Sequence, residues 1–326
     1  MSSSPTKAQV FLSRLGSTLG LWTVVLLALF APNQSVANSA FLLILILLGV
    51  FGFREYANMV RKTGTQILGW PAMVAGVALL SLEVSNGWTA EKQLAKAKST
   101  LIESQLENGS DDTIYLHDTH YITVNQGFTA NLGAPLIATL LFLWLTTLKL
   151  RSSGEIKLNS LAATFFGWFY VFWLLSFIGK IYYLPIVQGT WFLLYFILVT
   201  KFSDLGAYLV GSLIGKHKMA PKISPGKTWE GFGGAIVVST LVSVITIYAA
   251  GPSLAPLKGA HAIILGVLLS GLAVVGDLVE SLMKRETGVK DSGTLFPGIG
   301  GALDLIDSLL FNAPIFYIYC RLTLST

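Results

Sequence analysis

The chain has a single cysteine, Cys320, in 326 residues. It therefore holds no internal disulfide and no multi-cysteine metal site. Charge is also scarce. Asp, Glu, Lys and Arg together make up 12% of the residues, about half the share of a soluble domain. The net charge is +5, but the basic residues are scattered over short loops. That pattern reads as positive loops on one side of a membrane and excludes a nucleic-acid surface. No Walker GxxxxGK[ST] spacing occurs, and no internal repeat is evident, which argues against an inverted-repeat transporter.

What remains is apolar. Hydrophobic residues make up 53% of the chain, and the mean hydropathy is +0.66. Apolar runs of roughly 17–25 residues recur, each long enough to cross about 30 Å of hydrocarbon. They are continuous and do not alternate, so they predict helices and not a barrel. The expected fold is an all-α, polytopic helical membrane protein with about nine spans. These fall at 17–31, 38–53, 66–82, 132–148, 159–178, 191–215, 231–250, 260–276 and 303–320. Lys7 and Arg14 precede the first run and imitate a signal peptide, but with so many spans following, an uncleaved first span is the better reading.

Three regions are expected: a three-span region at 1–82, an extramembrane polar segment at 83–131 and a catalytic membrane domain at 132–326. In the polar segment, 88–107 has helix-forming composition and 113–124 looks strand-like. His117, Asp118 and His120 make a weak metal signal, and a solvated subdomain is preferred. Loop charges set the orientation. Arg54, Arg61 and Lys62, then Lys149, Arg151 and Lys157, then Lys216, Lys218, Lys222 and Lys227 fall on one side, with the N-terminus. That side reads as cytoplasmic.

Ionisable groups in or beside a span are expensive and default to function. Here they crowd between Asp277 and Asp307, with six carboxylates (Asp277, Glu280, Glu286, Asp291, Asp304, Asp307) and three bases (Lys284, Arg285, Lys290). Asp277, Glu280, Ser281 and Lys284 stand at i, i+3, i+4 and i+7 and share a helical face. Asp304 and Asp307, at i and i+3, share another. Between them FPGIGG makes a turn that brings two helix ends together. Converging carboxylates of this kind suit Mg²⁺ beside phosphate oxygens. The competing reading, solvated helix-end charge, is preferred for Glu286 only.

A second motif is KHKMAPKISPGKTWEG at 216–231. Ser224 and Thr228 offer hydroxyls, Gly226 lets backbone approach a ligand, and Lys227 supplies a point charge, with Glu230 close by. This is phosphate-binding chemistry. Asp204 adds a carboxylate in mid-span, and Gly206 and Gly211 permit close helix packing. Together these features point to phosphoryl or nucleotidyl transfer to a lipid.

At these residues the chain resembles the phosphatidate cytidylyltransferase (CDP-diacylglycerol synthase) family. Three blocks match in order: SDLGAYLVGSLIGKHKMAPKISPGKTWEG, GDLVESLMKRETGVKDSG and FPGIGGALDLIDS. The family signature S-x-x-K-R-x4-K-D-x-G is met by Ser281, Lys284, Arg285, Lys290, Asp291 and Gly293. Its continuation, P-x-H-G-G-x-x-D-R-x-D, is met by Pro297, Gly300, Gly301, Asp304 and Asp307. Ile299 stands where the family has His, and Leu305 where it has Arg, so any role of those side chains is absent here. The resemblance implies CTP and phosphatidate as substrates, with Mg²⁺ and a second cation. It implies Asp277, Asp304 and Asp307 as metal ligands with Glu280 as a fourth. Lys227, Lys284, Arg285 and Lys290 would hold phosphates, Ser224 and Thr228 would position them, and Asp291 would orient Lys290 or bind nucleotide. It also implies a homodimer in a bacterial cytoplasmic (inner) membrane. Two competing readings are a CTP-dependent kinase or cytidylyltransferase of an isoprenoid lipid, and a cation-coupled transporter using Asp204, Asp277 and Asp304.

Overall fold

The computed structural model describes residues 7–108, 133–149, 151, 157–184 and 188–324. Their helices are α1 (Lys7–Leu29), α2 (Gln34–Arg61), α3 (Gly69–Asn108), α4 (Gly133–Lys149), α5 (Leu158–Tyr182), α6 (Gly189–Ile214), α7 (Trp229–Ala249), α8 (Ala260–Glu286) and α9 (Ala302–Leu324). The protein is a helical membrane protein. Among the described residues, α2 and α5 to α9 are the six helices long and apolar enough to cross a bilayer, and α1 and α4 carry shorter apolar stretches. The strand-like 113–124 segment, with His117, Asp118 and His120, lies outside the described residues.

Two polar stretches continue helices. The 88–107 segment extends α3, which runs unbroken across the expected boundary at 82/83. The carboxylate-rich 277–286 segment extends α8 to Glu286. There Gly288, at φ +68, ends the helix by letting Val289 N–H return to the Lys284 carbonyl. Glu83, at the start of the expected polar segment, and Lys180 both lie within helices. They pair at 2.9 Å, buried between α3 and α5.

Apolar surface drives little association in lipid, so small residues and interhelical hydrogen bonds hold such bundles. At Gly206 on α6, a Cβ would lie 2.7 Å from Val238 on α7, as the sequence led one to expect. In the centre, Asn312 Nδ2 donates to Thr200 Oγ1 and to the Leu269 carbonyl, joining α9 to α6 and α8. Ser239 Oγ donates to the Gly266 carbonyl across α7 and α8. On the other flank, Phe172 fills the space that Gly49 and Gly76 leave on α2 and α3. Phe172 belongs to a π-helical turn, Phe169–Trp173, inside α5.

The one two-stranded sheet among the described residues is a hairpin of β1 (Lys218–Ala220) and β2 (Ser224–Thr228). It runs antiparallel, with Lys218 opposite Thr228 and Ala220 opposite Ser224. The SPGKT sequence is therefore a strand leading straight into α7, not an open loop.

Candidate active site

Helices α8 and α9 meet at Gly276. A Cβ there would lie 2.6 Å from the Asp307 carbonyl oxygen, so glycine is required for this approach. The contact sets Asp277 and Glu280 of α8 beside Asp307 of α9. One carboxylate oxygen from each lies within 4.8 Å of the other two. Glu280 and Asp307 are buried, and Asp277 is half-buried.

Three ammonium groups border this trio. Lys227 Nζ reaches Asp277 Oδ2 at 2.8 Å and donates to the Val274 carbonyl. Lys284 Nζ lies 2.5 Å from Glu280 Oε2 and 2.7 Å from Asp304 Oδ1. Lys201 Nζ donates to Ser308 Oγ, and that hydroxyl donates to Asp204 Oδ2. Lys201 itself lies 3.6 Å from Asp204. Ser281 Oγ donates to Asp277.

Counting Asp204, Asp277, Glu280, Asp304 and Asp307 against these three lysines leaves two negative charges. At an effective dielectric constant of about 20, two carboxylates 4.8 Å apart repel by about 3.5 kcal/mol. The ion pairs among the described residues do not include Asp307. Glu280 Oε1 is buried with no hydrogen-bond partner. Hard oxygen donors, an excess of two negative charges and an unused acceptor fit one divalent cation.

Asp304, expected on the same face as Asp307, lies outside the trio. It is the third residue of α9, and its carboxylate turns back to accept from Gly301 N–H at 2.6 Å, as in a capping box. It also accepts from Ser292 Oγ at 2.7 Å. Two of the remaining donors at this helix start, Ala302 N–H and Leu303 N–H, go to a residue that sequence reasoning missed. Glu55 of α2 accepts from Ala302 N–H at 3.0 Å and Leu303 N–H at 2.9 Å, and its Oε2 lies 3.2 Å from Ser292 Oγ, whose one proton it shares with Asp304. A Cβ on Gly293 or Gly301 would run into the Glu55 carboxylate, which accounts for two glycines of the signature. The one signal available in the sequence was a glutamate at the end of an apolar span.

Other expected residues have local partners. Thr228 Oγ1 caps α7 by accepting from Gly231 N–H. Glu230 accepts from Lys216 N–H and His217 N–H and pairs with the His217 ring. Arg285 Nε donates to the Ile223 carbonyl and ties the hairpin to α8, which brings Lys227 over Asp277. Ser224 is half-buried in β2, and Lys290 and Asp291 are exposed beyond the end of α8. Ile299 is half-buried in the 297–300 turn, and Leu305 packs against the core.

A profile of the Cytidylyltransferase family matches residues 113–323. The chain belongs to that family. The matched range contains the acidic trio and its three lysines, and it leaves Glu55 outside. Among the relatives of this cytidylyltransferase-family chain is the Uncharacterized protein YnbB of Escherichia coli, 38% identical over 192 residues, which are 56% of this chain and 63% of that protein. A Phosphatidate cytidylyltransferase of Haemophilus influenzae is 44% identical over 134 residues, covering 40% of this chain and 46% of the relative. One from Staphylococcus haemolyticus is 42% identical over 128 residues, covering 39% and 48%. The matched stretches thus span about half to under two thirds of these relatives.

Proposed function

We propose that the chain is a CTP:phosphatidate cytidylyltransferase, making CDP-diacylglycerol and pyrophosphate. The observation that carries this reading is the trio Asp277, Glu280 and Asp307 in a membrane bundle, which together with Asp204 and Asp304 sets five carboxylates against three lysines. The relatives named phosphatidate cytidylyltransferase support the choice of substrates.

In this reading Asp277, Glu280 and Asp307 hold Mg²⁺, and the resemblance adds a second cation. When bound, the metal offsets charge on the triphosphate and on the departing pyrophosphate. Lys227 moves from Asp277 to a phosphate of CTP, and Lys201 offers a second ammonium group to the lipid phosphate. Lys284 keeps Glu280 and Asp304 in place. Arg285 holds the hairpin, while exposed Lys290 reaches the nucleotide and Asp291 orients it. An oxygen of the lipid phosphate attacks the α-phosphorus of CTP. The new P–O bond forms as the bond to the β-phosphate oxygen breaks. That lipid phosphate is anionic at neutral pH, so the absence of His at Ile299 removes no required base.

Residues 132–326 are the catalytic region in this proposal, with 1–82 supplying Glu55. The site faces the cytoplasm, where CTP is, and the enzyme is a homodimer of the bacterial inner membrane. The test is purified protein with labelled CTP and either phosphatidate or a polyprenyl acceptor. CDP-diacylglycerol and pyrophosphate in equal amounts are expected with phosphatidate. Product from the polyprenyl acceptor alone, or ion flux in liposomes without CTP turnover, overturns the proposal.

A further inference from the structure

The π-helical turn of α5 points to a residue that no signature includes. Inserting one extra residue into a helical turn costs regular hydrogen bonding, and such turns gather at functional sites. Tyr170 lies in this turn and is 2% exposed. Its ring stacks on Phe166 at 5.8 Å and tilts against Phe311 at 6.1 Å. Phe311 is one helical turn beyond Asp307 on α9. The ring is thus clamped beside the acidic trio, and the charges of Asp307, Glu280 and Asp277 all act on its hydroxyl.

That hydroxyl is buried and has no hydrogen-bond partner. Glu280 Oε1, within the trio, is likewise buried without a hydrogen-bond partner. A buried hydroxyl without a partner is costly to keep, and phenylalanine would fill the same volume without that cost. The Tyr170 hydroxyl on α5 and Glu280 Oε1 on α8 are thus unpartnered polar atoms beside one acidic cluster, which marks a place where a ligand atom belongs.

We propose that the Tyr170 hydroxyl donates a hydrogen bond to a ligand oxygen seated among Asp277, Glu280 and Asp307. That oxygen comes from a hydration water of a divalent cation or from a phosphate of the substrate. The inference rests on the cation-dependent reading above.

The experiment compares wild type with Tyr170→Phe as intact protein in nanodiscs. It records Mn²⁺ binding by electron paramagnetic resonance without nucleotide, thermal unfolding of the metal-free protein, and KM for CTP and phosphatidate. The metal-free variant is expected to unfold at the same temperature as wild type or higher. Losing a hydrogen bond of this kind lowers binding roughly ten- to hundred-fold. A loss of that size in Mn²⁺ affinity assigns the oxygen to water. Unchanged Mn²⁺ affinity with KM raised by that factor assigns it to phosphate. If both stay within two-fold of wild type, or if the metal-free variant unfolds at a lower temperature, Tyr170 has no such role. Wild type that binds Mn²⁺ without using CTP overturns the proposed reaction while the binding arm still tests Tyr170. Wild type that binds no Mn²⁺ overturns both.

Discussion

Replacing Glu55 by Gln tests whether the start of α9 is built by a residue from outside 132–326. The first N–H groups of any helix lack intrahelical partners. In α9 each has an assigned acceptor. Ala302 and Leu303 donate to Glu55, Asp304 N–H to Ser292 Oγ, and Gly301 N–H to the Asp304 carboxylate. Ala302 and Leu303 are fully buried, so water cannot replace a lost acceptor. In Glu55→Gln one oxygen becomes an NH₂ group facing a donor. At least one buried N–H is then orphaned, at a cost of about 2 kcal/mol. For a chain of this size that is a fall of about 3 °C in the unfolding midpoint. The functional cost is larger. Asp307 follows Leu303 by one turn, and misplacement of a reacting geometry by about 1 Å costs about a hundred-fold in rate. The assay is CTP turnover with phosphatidate beside thermal unfolding in the same detergent. Glu55→Asp, one methylene shorter, falls between wild type and Gln. If Glu55→Gln matches wild type in both measurements, Glu55 does not organise α9.

Three further outcomes are expected. Asp307→Asn raises the Mg²⁺ needed for half-maximal turnover by at least ten-fold, whereas Asp304→Asn chiefly lowers thermal stability; equal shifts in metal requirement for the two variants would place Asp304 among the ligands. Lys284→Met strips a half-buried cation from between Asp304 and buried Glu280 and costs about 3 kcal/mol in stability, read by thermal or denaturant unfolding. Gly276→Ala drives a methyl into the Asp307 carbonyl and lowers kcat by more than ten-fold, as measured in the CTP assay, with KM for CTP changed less.

Much of this was legible because it repeats at helical spacing. The face shared by Asp277, Glu280, Ser281 and Lys284 follows from four positions on one helix, and the structure joins these residues through Ser281–Asp277 and Lys284–Glu280 contacts. Asp304 and Asp307 have equally regular spacing, yet they part. Spacing assumes side chains that point outward, and a residue in the first helical turn turns back to cap its own backbone. The same competition holds Thr228 and Glu230, whose oxygens satisfy backbone N–H groups at the start of α7 and between α6 and β1. For Glu55 the sequence offered only its place at the end of an apolar span. It meets its partners 237 to 248 residues away, across a contact with no local periodicity. Lys201 lies within the apolar 191–215 span, where helical spacing gives it no partner in the 277–307 cluster. Its role emerges where Ser308 brings it to Asp204.

The arrangement of charges also bears on how the chain is made. A bare carboxylate in a bilayer costs about 3 kcal/mol, and α8 must enter with Asp277 and Glu280 before α9 exists. Synthesis runs from the N-terminus, so Lys201 and Lys227 emerge before any carboxylate of the 277–307 cluster. When Asp277 leaves the ribosome, Lys227 is already there to meet it, and Lys284 follows Glu280 within two turns. Asp307 comes last and has no such lysine contact. In the proposed reading, a divalent cation would balance the cluster only once α9 has brought Asp307 to Asp277 and Glu280.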